Sequence, residues 1–241
     1  MFPIGDENEP GRGPALVTWA LILANIAVFV FLQELTADNR FTLGWSAIPH
    51  EITTGQDLVR ATLITVNGET FRLPQAPGPD PIQLTLLTSM FMHGSLLHLG
   101  GNMLFLWVFG DNVEHRAGRV LYLVAYLAAG IVGSLAQVLS DPESTIPTLG
   151  ASGAISGILG AYIVLFPGNR ILVFIFRFLV YVPAVVAIGL WIVIQVISQF
   201  GSTIEEASGI AYLAHIGGFG TGVLAGFLFR ALPRSPVPAR S

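Results

Sequence analysis

Hydrophobic residues come in long blocks in this chain, separated by polar stretches rich in proline and glycine. The first block runs from Ala15 to Leu32 with Asn25 as its one strongly polar interruption. Its length approaches the roughly 30 Å of a bilayer's hydrocarbon core, so it reads as a spanning helix. Five more blocks follow: Leu96 to Phe109, continuing toward Glu114; Val120 to Leu139; Ser152 to Phe166; Phe178 to Phe200, with Pro183 inside; and Ile210 to Leu232. Asp141-Pro142-Glu143 separates the third from the fourth, and Pro167-Gly168 stops the fourth. The fourth, at roughly 22 Å, is short for an isolated span, which implies that its serine end lies below the membrane surface inside a bundle.

Between the first two blocks lies a long polar stretch, 33–81. Within it, Asn67-Gly68 stands between Leu63-Ile64-Thr65-Val66 and Phe71-Arg72-Leu73, a hairpin signal. Pro74, Pro77, Pro79 and Pro81 close the stretch, which reads as a folded extramembrane loop resting on the bundle. Residues 82–95 predict a short helix that skims or re-enters the interface. Residues 1–14 read as a flexible tail and 233–241 as a disordered one. The pattern predicts an all-α membrane protein: one six-transmembrane-helix domain over 15–232 with a long extracytoplasmic first loop.

Composition agrees. Of 241 residues 53% are hydrophobic and only 11% charged, where a soluble domain carries about 25% charged residues. The absence of cysteine rules out a disulfide, a thiol nucleophile and a thiolate metal site. No basic patch with interleaved aromatics points to nucleic acid. The acidic, proline-bearing start argues that the first block is a retained span and not a cleaved signal peptide. Arg12, Arg116, Arg119, Arg170, Arg177, Arg230, Arg234 and Arg240 fall in the tails or after the second and fourth spans, while only Arg40, Arg60 and Arg72 fall in the first loop. The positive-inside rule therefore puts both termini in the cytoplasm and turns the serine end of the fourth span outward; the expected location is the cell's inner membrane.

That topology gathers a set of polar residues. His98 and Asn102, four residues apart at the start of the second span, Ser152 at the start of the fourth, and His215 near the start of the sixth all fall in the outer half of the bundle. A serine attacks a carbonyl only with a base within about 3 Å, and imidazole suits that task near neutral pH. His215 is the candidate base, and later the acid that protonates a leaving amine. The negative charge of a tetrahedral intermediate needs donors in a region of low dielectric. The Ser152 amide at a helix N-terminus, the His98 ring and the Asn102 amide, on one helix face, are candidates for that task. Each of these residues taken singly also fits a plain interhelical hydrogen bond.

Gly153 and Gly157 in the fourth span, and Gly218, Gly222 and Gly226 in the sixth, recur at four-residue spacing and read first as packing residues. If these faces meet, they bring the carriers of Ser152 and His215 into close contact. Among the remaining histidines, His93 reads as structural and His50 and His115 as solvated. No His-Glu-x-x-His motif or nearby carboxylate accompanies His93 and His98, which argues against a metalloprotease. Glu114 and Arg116 read as fixing the turn after the second span, Asn25 as interhelical glue, and Trp107 and Trp191 as anchors or packing.

The ordered set His98-Leu99-Gly100-Gly101-Asn102, Glu114-His115-Arg116-Ala117-Gly118, Gly150-Ala151-Ser152-Gly153 and Ala214-His215-Ile216-Gly217-Gly218 resembles the rhomboid intramembrane serine proteases over about residues 82 to 230. The resemblance implies Ser152 as nucleophile and His215 as general base, a dyad without an acidic third member, with His98 and Asn102 stabilising the oxyanion. It implies six helices around a water-filled cavity, a lateral gate at the fifth, transmembrane helices as substrates, and no metal or cofactor. Two departures stand out: Ser156 occupies the place where some members have a tyrosine packed on the base, and the first loop lacks the family's Trp-Arg pair. A non-cleaving rhomboid-like protein that binds or chaperones helices is the alternative, whose mark would be loss of Ser152 or His215; neither is lost. A transporter or channel fits less well, because no continuous charged path reaches the cytoplasm.

Overall fold

The computed structural model describes residues 2–7, 13–66, 68–175, 177–201 and 211–233. Strand β1 (Phe2–Asp6) precedes α1 (Leu16–Ala27), which continues through a π-helical turn to Leu32. The first loop holds two short helices that the hydrophobic pattern did not announce, α2 (Arg40–Trp45) and α3 (Pro49–Thr54). Their end signals are local. The Asn39 side chain accepts the Thr42 N–H at 2.8 Å, Pro49 opens α3, and Gly55 closes it at φ +72°. The expected hairpin is present: β2 (Thr62–Val66) pairs antiparallel with β3 (Glu69–Leu73), Ile64 opposite Phe71. The expected helix after the proline run is a short α4 (Thr85–Thr88) between two 3₁₀ turns, together spanning Ile82 to Phe91.

The larger helices are α5 (Leu96–Ala117), α6 (Arg119–Ser140) and α7 (Ser152–Leu165). After a second hairpin, β4 (Arg170–Ile175) and β5 (Phe178–Pro183), come α8 (Ala184–Gly201) and α9 (Tyr212–Ala231). Among the described residues α6 and α9 meet the length and hydropathy of a membrane span unaided; α1 with its π turn, α7 and α8 are apolar but shorter. Helix α5 matches α6 in length and carries Asp111, Glu114 and Arg116 toward its end.

Three expectations about the secondary structure need correction. The protein is mainly helical but not all-α, since β1, β4 and β5 form an antiparallel sheet in the order β1-β4-β5. Residues 2–6 belong to that sheet and not to a flexible tail. The strand is fixed beyond its ladder by Asp6, whose Oδ2 accepts hydrogen bonds from Asn112 Nδ2 at 2.7 Å and Tyr162 OH at 2.5 Å. The fifth span begins at Ala184 and not at Phe178, because Phe178 to Pro183 pair with β4; Pro183 offers no N–H to a helix interior and is suited to a strand end. The start expected for the sixth span, Ile210, and the tail beyond Pro233 lie outside the described residues.

Helix α7 is the axis of the fold, with Gly153 to Tyr162 all buried. It packs against α9, α6 and α5. The glycine faces meet: a Cβ on Gly218 would collide with the Gly153 carbonyl, and one on Gly222 with the Gly157 carbonyl. Side-chain-free contact of this kind lets two backbones approach as no larger residue permits. The first loop leans on this bundle through mutual Ala47–Thr148 backbone bonds of 3.0 and 2.8 Å.

The hydrogen bonds of Glu114 and Arg116 described here run beyond their own turn, each satisfying the end of another helix. The Glu114 carboxylate accepts the N–H groups of Val17 at 3.0 Å and Thr18 at 2.7 Å in the first turn of α1, where backbone donors are unpaired and the helix field favours an anion. Arg116 Nη2 donates to the carbonyls of Arg230 and Leu232 at the end of α9, at 3.1 and 3.0 Å.

Candidate active site

Ser152 is the first residue of α7 and follows Gly150, whose φ of +136° suits glycine alone. The Gly150 N–H donates to the Ser89 carbonyl at 2.9 Å, tying the approach to α7 onto the 3₁₀ turn before α5. His215 lies in the first turn of α9. The glycine contacts hold the two helix starts together, and His215 Nε2 stands 2.8 Å from Ser152 Oγ across 63 positions of sequence.

The other ring nitrogen is also engaged. His215 Nδ1 lies 2.7 Å from Oε1 of Gln195 on α8. Trp191, one turn earlier on the same helix, puts its ring 5.8 Å from the imidazole at an interplanar angle of 37°. The ring beside the histidine is thus supplied by α8, whereas Ser156 turns back on its own helix and donates to the Ser152 carbonyl at 2.6 Å.

His98 sits in the first turn of α5, which Ser95 caps by accepting the His98 N–H at 3.1 Å. Its Nδ1 accepts the Gly94 N–H at 3.3 Å, so in the neutral ring the proton is on Nε2. That nitrogen faces the space left by the missing Cβ of Gly150: a Cβ there would be 3.1 Å from His98 Nε2 and 3.6 Å from Ser152 Oγ. Asn102, one turn on, is 9% exposed, and its Nδ2 has no hydrogen-bond partner among the described residues. A buried amide without a partner is costly unless another group comes to meet it. A polar cleft adjoins the serine on the α6 side, lined by Ser89, Ser134, Gln137 and Thr148.

The residues singled out in the sequence divide accordingly. Ser152, His215 and His98 surround one small space, with Asn102 one turn from His98. His93 is fully buried with its ring edge-on to His98, centroids 5.1 Å apart; its backbone N–H donates to Gln33 Oε1 at 2.8 Å and its carbonyl accepts Gln33 Nε2 at 3.0 Å. His50 lies 3.5 Å from Glu143, and His115 Nε2 2.8 Å from the Gly13 carbonyl, so each has a protein partner in place of water alone. Asn25 Nδ2 donates to Leu21 of its own helix at 2.8 Å. Trp107 is half exposed on α5. Gln195 is not among the residues expected from the sequence. Its signal was an amide in the apolar run Ala184 to Ile197, four residues after Trp191 and so on the same helix face.

The Rhomboid domain family model matches residues 82–232, which include every residue of this site. The chain is 34% identical over 156 residues to Rhomboid protein 1, mitochondrial, of Saccharomyces cerevisiae, covering 60% of this chain and 41% of that one. It is 45% identical over 85 residues to Rhomboid protease GluP of Bacillus subtilis, covering 35% and 16%. RHOMBOID-like protein 5 of Arabidopsis thaliana is 29% identical over 152 residues, covering 62% and 45%. The chain spans less than half the length of each of these relatives.

Proposed function

This chain belongs to the rhomboid family of multi-pass membrane proteins, and from that premise we propose that it is an intramembrane serine protease acting through Ser152 and His215. The observation that carries the reading is the 2.8 Å contact between Ser152 Oγ and His215 Nε2. The likeness to a relative named as a rhomboid protease supports it.

In this reading α1, α5, α6, α7, α8 and α9 cross the inner membrane with both termini in the cytoplasm, and the site opens outward. His215 Nε2 takes the proton of Ser152 as Oγ attacks the carbonyl carbon of a peptide bond near the outer end of a substrate's transmembrane helix. The proton passes to the leaving amine, an acyl-serine remains, and water hydrolyses it with His215 again acting as base. The oxyanion is met by the Ser152 N–H, by His98 Nε2–H and by the amide of Asn102, whose buried nitrogen thereby gains its partner. The polar cleft beside Ser152 gives water a way to the acyl group. The substrate helix must unwind at the cut, because a helical amide is shielded and its carbonyl already paired. The residues named here act without a metal or cofactor.

The test is labelling of the purified protein by a fluorophosphonate, together with cleavage of a transmembrane substrate in lipid. Labelling and cleavage are expected from wild type and from neither Ser152→Ala nor His215→Ala, both of which keep the wild-type melting temperature. Cleavage by purified Ser152→Ala would sink the mechanism. A folded wild type that neither labels nor cuts would identify a non-cleaving, helix-binding protein.

A further inference from the structure

The dyad leaves a question of orientation. A neutral imidazole carries one N–H, and His215 can take the serine's proton only if that hydrogen is on Nδ1 and Nε2 is bare. Something must prefer this tautomer and hold the ring plane. Ser156 donates to the Ser152 carbonyl, and the partner found at His215 Nδ1 is Gln195 instead.

We propose that Gln195 is the positioning residue for His215, with its amide oxygen accepting the Nδ1–H and so leaving Nε2 bare toward Ser152. The proposal rests on the protease reading above and adds to the site a third member carried by α8. An amide oxygen can only accept, so with Oε1 2.7 Å from Nδ1 the contact selects the tautomer that a general base needs. The ring is then held at both nitrogens, 2.8 Å from Ser152 Oγ on one side and 2.7 Å from Gln195 on the other, with Trp191 beside it.

Placement of the amide supports the same conclusion. Val193, Ile194, Val196 and Ile197 around it are exposed apolar residues, as suits a helix side turned to lipid. Gln195 points to the other side, where burying an amide is costly unless it is hydrogen-bonded, and the bond it makes is to the histidine. A carboxylate in its place would stabilise the imidazolium more strongly, but would itself have to be stripped of water. An amide orients the ring without that charge.

Three forms are compared, wild type, Gln195→Met and Gln195→Glu, in the whole 241-residue chain in detergent. Methionine keeps the length of the side chain and removes the acceptor; glutamate keeps the acceptor. On a transmembrane substrate kcat of Gln195→Met falls about 10- to 100-fold, short of the ~10⁴-fold that follows loss of a charged triad partner's function. KM stays within about twofold, as expected when a catalytic-step interaction is lost without a binding one, and Gln195→Glu restores most of kcat. The readout that a merely structural role would not move is the ¹⁵N spectrum of histidine-labelled protein, with His215→Ala used to assign the signals. His215 reads as the Nδ1–H tautomer in wild type and shifts toward Nε2–H in Gln195→Met. Either of two results overturns the proposal: an unchanged tautomer with unchanged kcat in Gln195→Met, or an Nε2–H tautomer in wild type, which would mean that the amide NH₂ faces the ring. The wild-type spectrum needs no substrate, so an Nε2–H tautomer there overturns the proposal even if the wild type proves unable to cut.

Discussion

Helices α8 and α9 approach the same serine from two sides and are held there by opposite means. Helix α9 lies on α7 backbone to backbone, with Gly218 and Gly222 against the carbonyls of Gly153 and Gly157. Helix α8 reaches the site through the ends of two side chains, Trp191 and Gln195, and turns Leu190, Val193, Ile194 and Ile197 outward. The distance between base and nucleophile is therefore a property of rigid packing, while the attitude of the base is a property of side chains on a loosely attached helix. The position and the orientation of His215 can therefore be disturbed separately.

The largest effect should come from breaking the rigid side. Gly222→Leu drives a side chain into the Gly157 carbonyl, an obstacle that cannot rotate away. The cost should exceed the ~1–3 kcal/mol of ordinary overpacking, lowering the melting temperature in detergent by roughly 10 °C or more, with labelling lost as the protein fails to assemble. Trp191→Ala tests the loose side. It should lower kcat about tenfold, a share of what acid–base alignment supplies, while the melting temperature falls by only roughly 2–4 °C. Equal losses of stability in the two variants would erase the contrast between the helices.

The same contrast explains what could be read from the sequence. The packing side was legible because it is written in local spacing: glycines four apart in two apolar blocks, and His98 and Asn102 four apart in a third. The end of α6 and the end of α7 followed from the breaks at Asp141-Pro142-Glu143 and Pro167-Gly168. What escaped notice depends on partners distant in sequence. Phe2–Asp6 becomes a strand only because Ile171 to Phe174 lie alongside it, and Phe178 to Pro183 looked like the start of a span until paired with β4. Glu114 and Arg116 looked like a turn pair, yet each caps another helix. Gln195 was a lone amide whose meaning lies in a histidine 20 residues on.

The first loop offers the smallest and most selective perturbation, at a place that touches neither helix contact. Glu51 in α3 is 2% exposed and accepts the Leu58 N–H at 2.8 Å. Burial raises its pKa from 4.5 to about 7; the Leu58 bond opposes the rise and the neighbouring Asp57 charge adds to it. Between these values the folded chain holds a proton that the unfolded chain has lost, so the contribution to stability is complete below pH 4.5 and is lost as pH rises through about 7. Glutamine keeps the acceptor for Leu58 and cannot ionise. Glu51→Gln should accordingly melt with wild type at pH 4.5 and above it at pH 8, by roughly 2–4 °C, the response of a domain this size to about 1 kcal/mol. Fluorophosphonate labelling at the two pH values should be the same in both proteins, since α3 reaches neither Ser152 nor the side chains that orient His215. Parallel melting curves across the whole range would mean that the carboxylate keeps its water in the folded loop. A difference in labelling would extend the orienting side of the comparison from α8 to the loop.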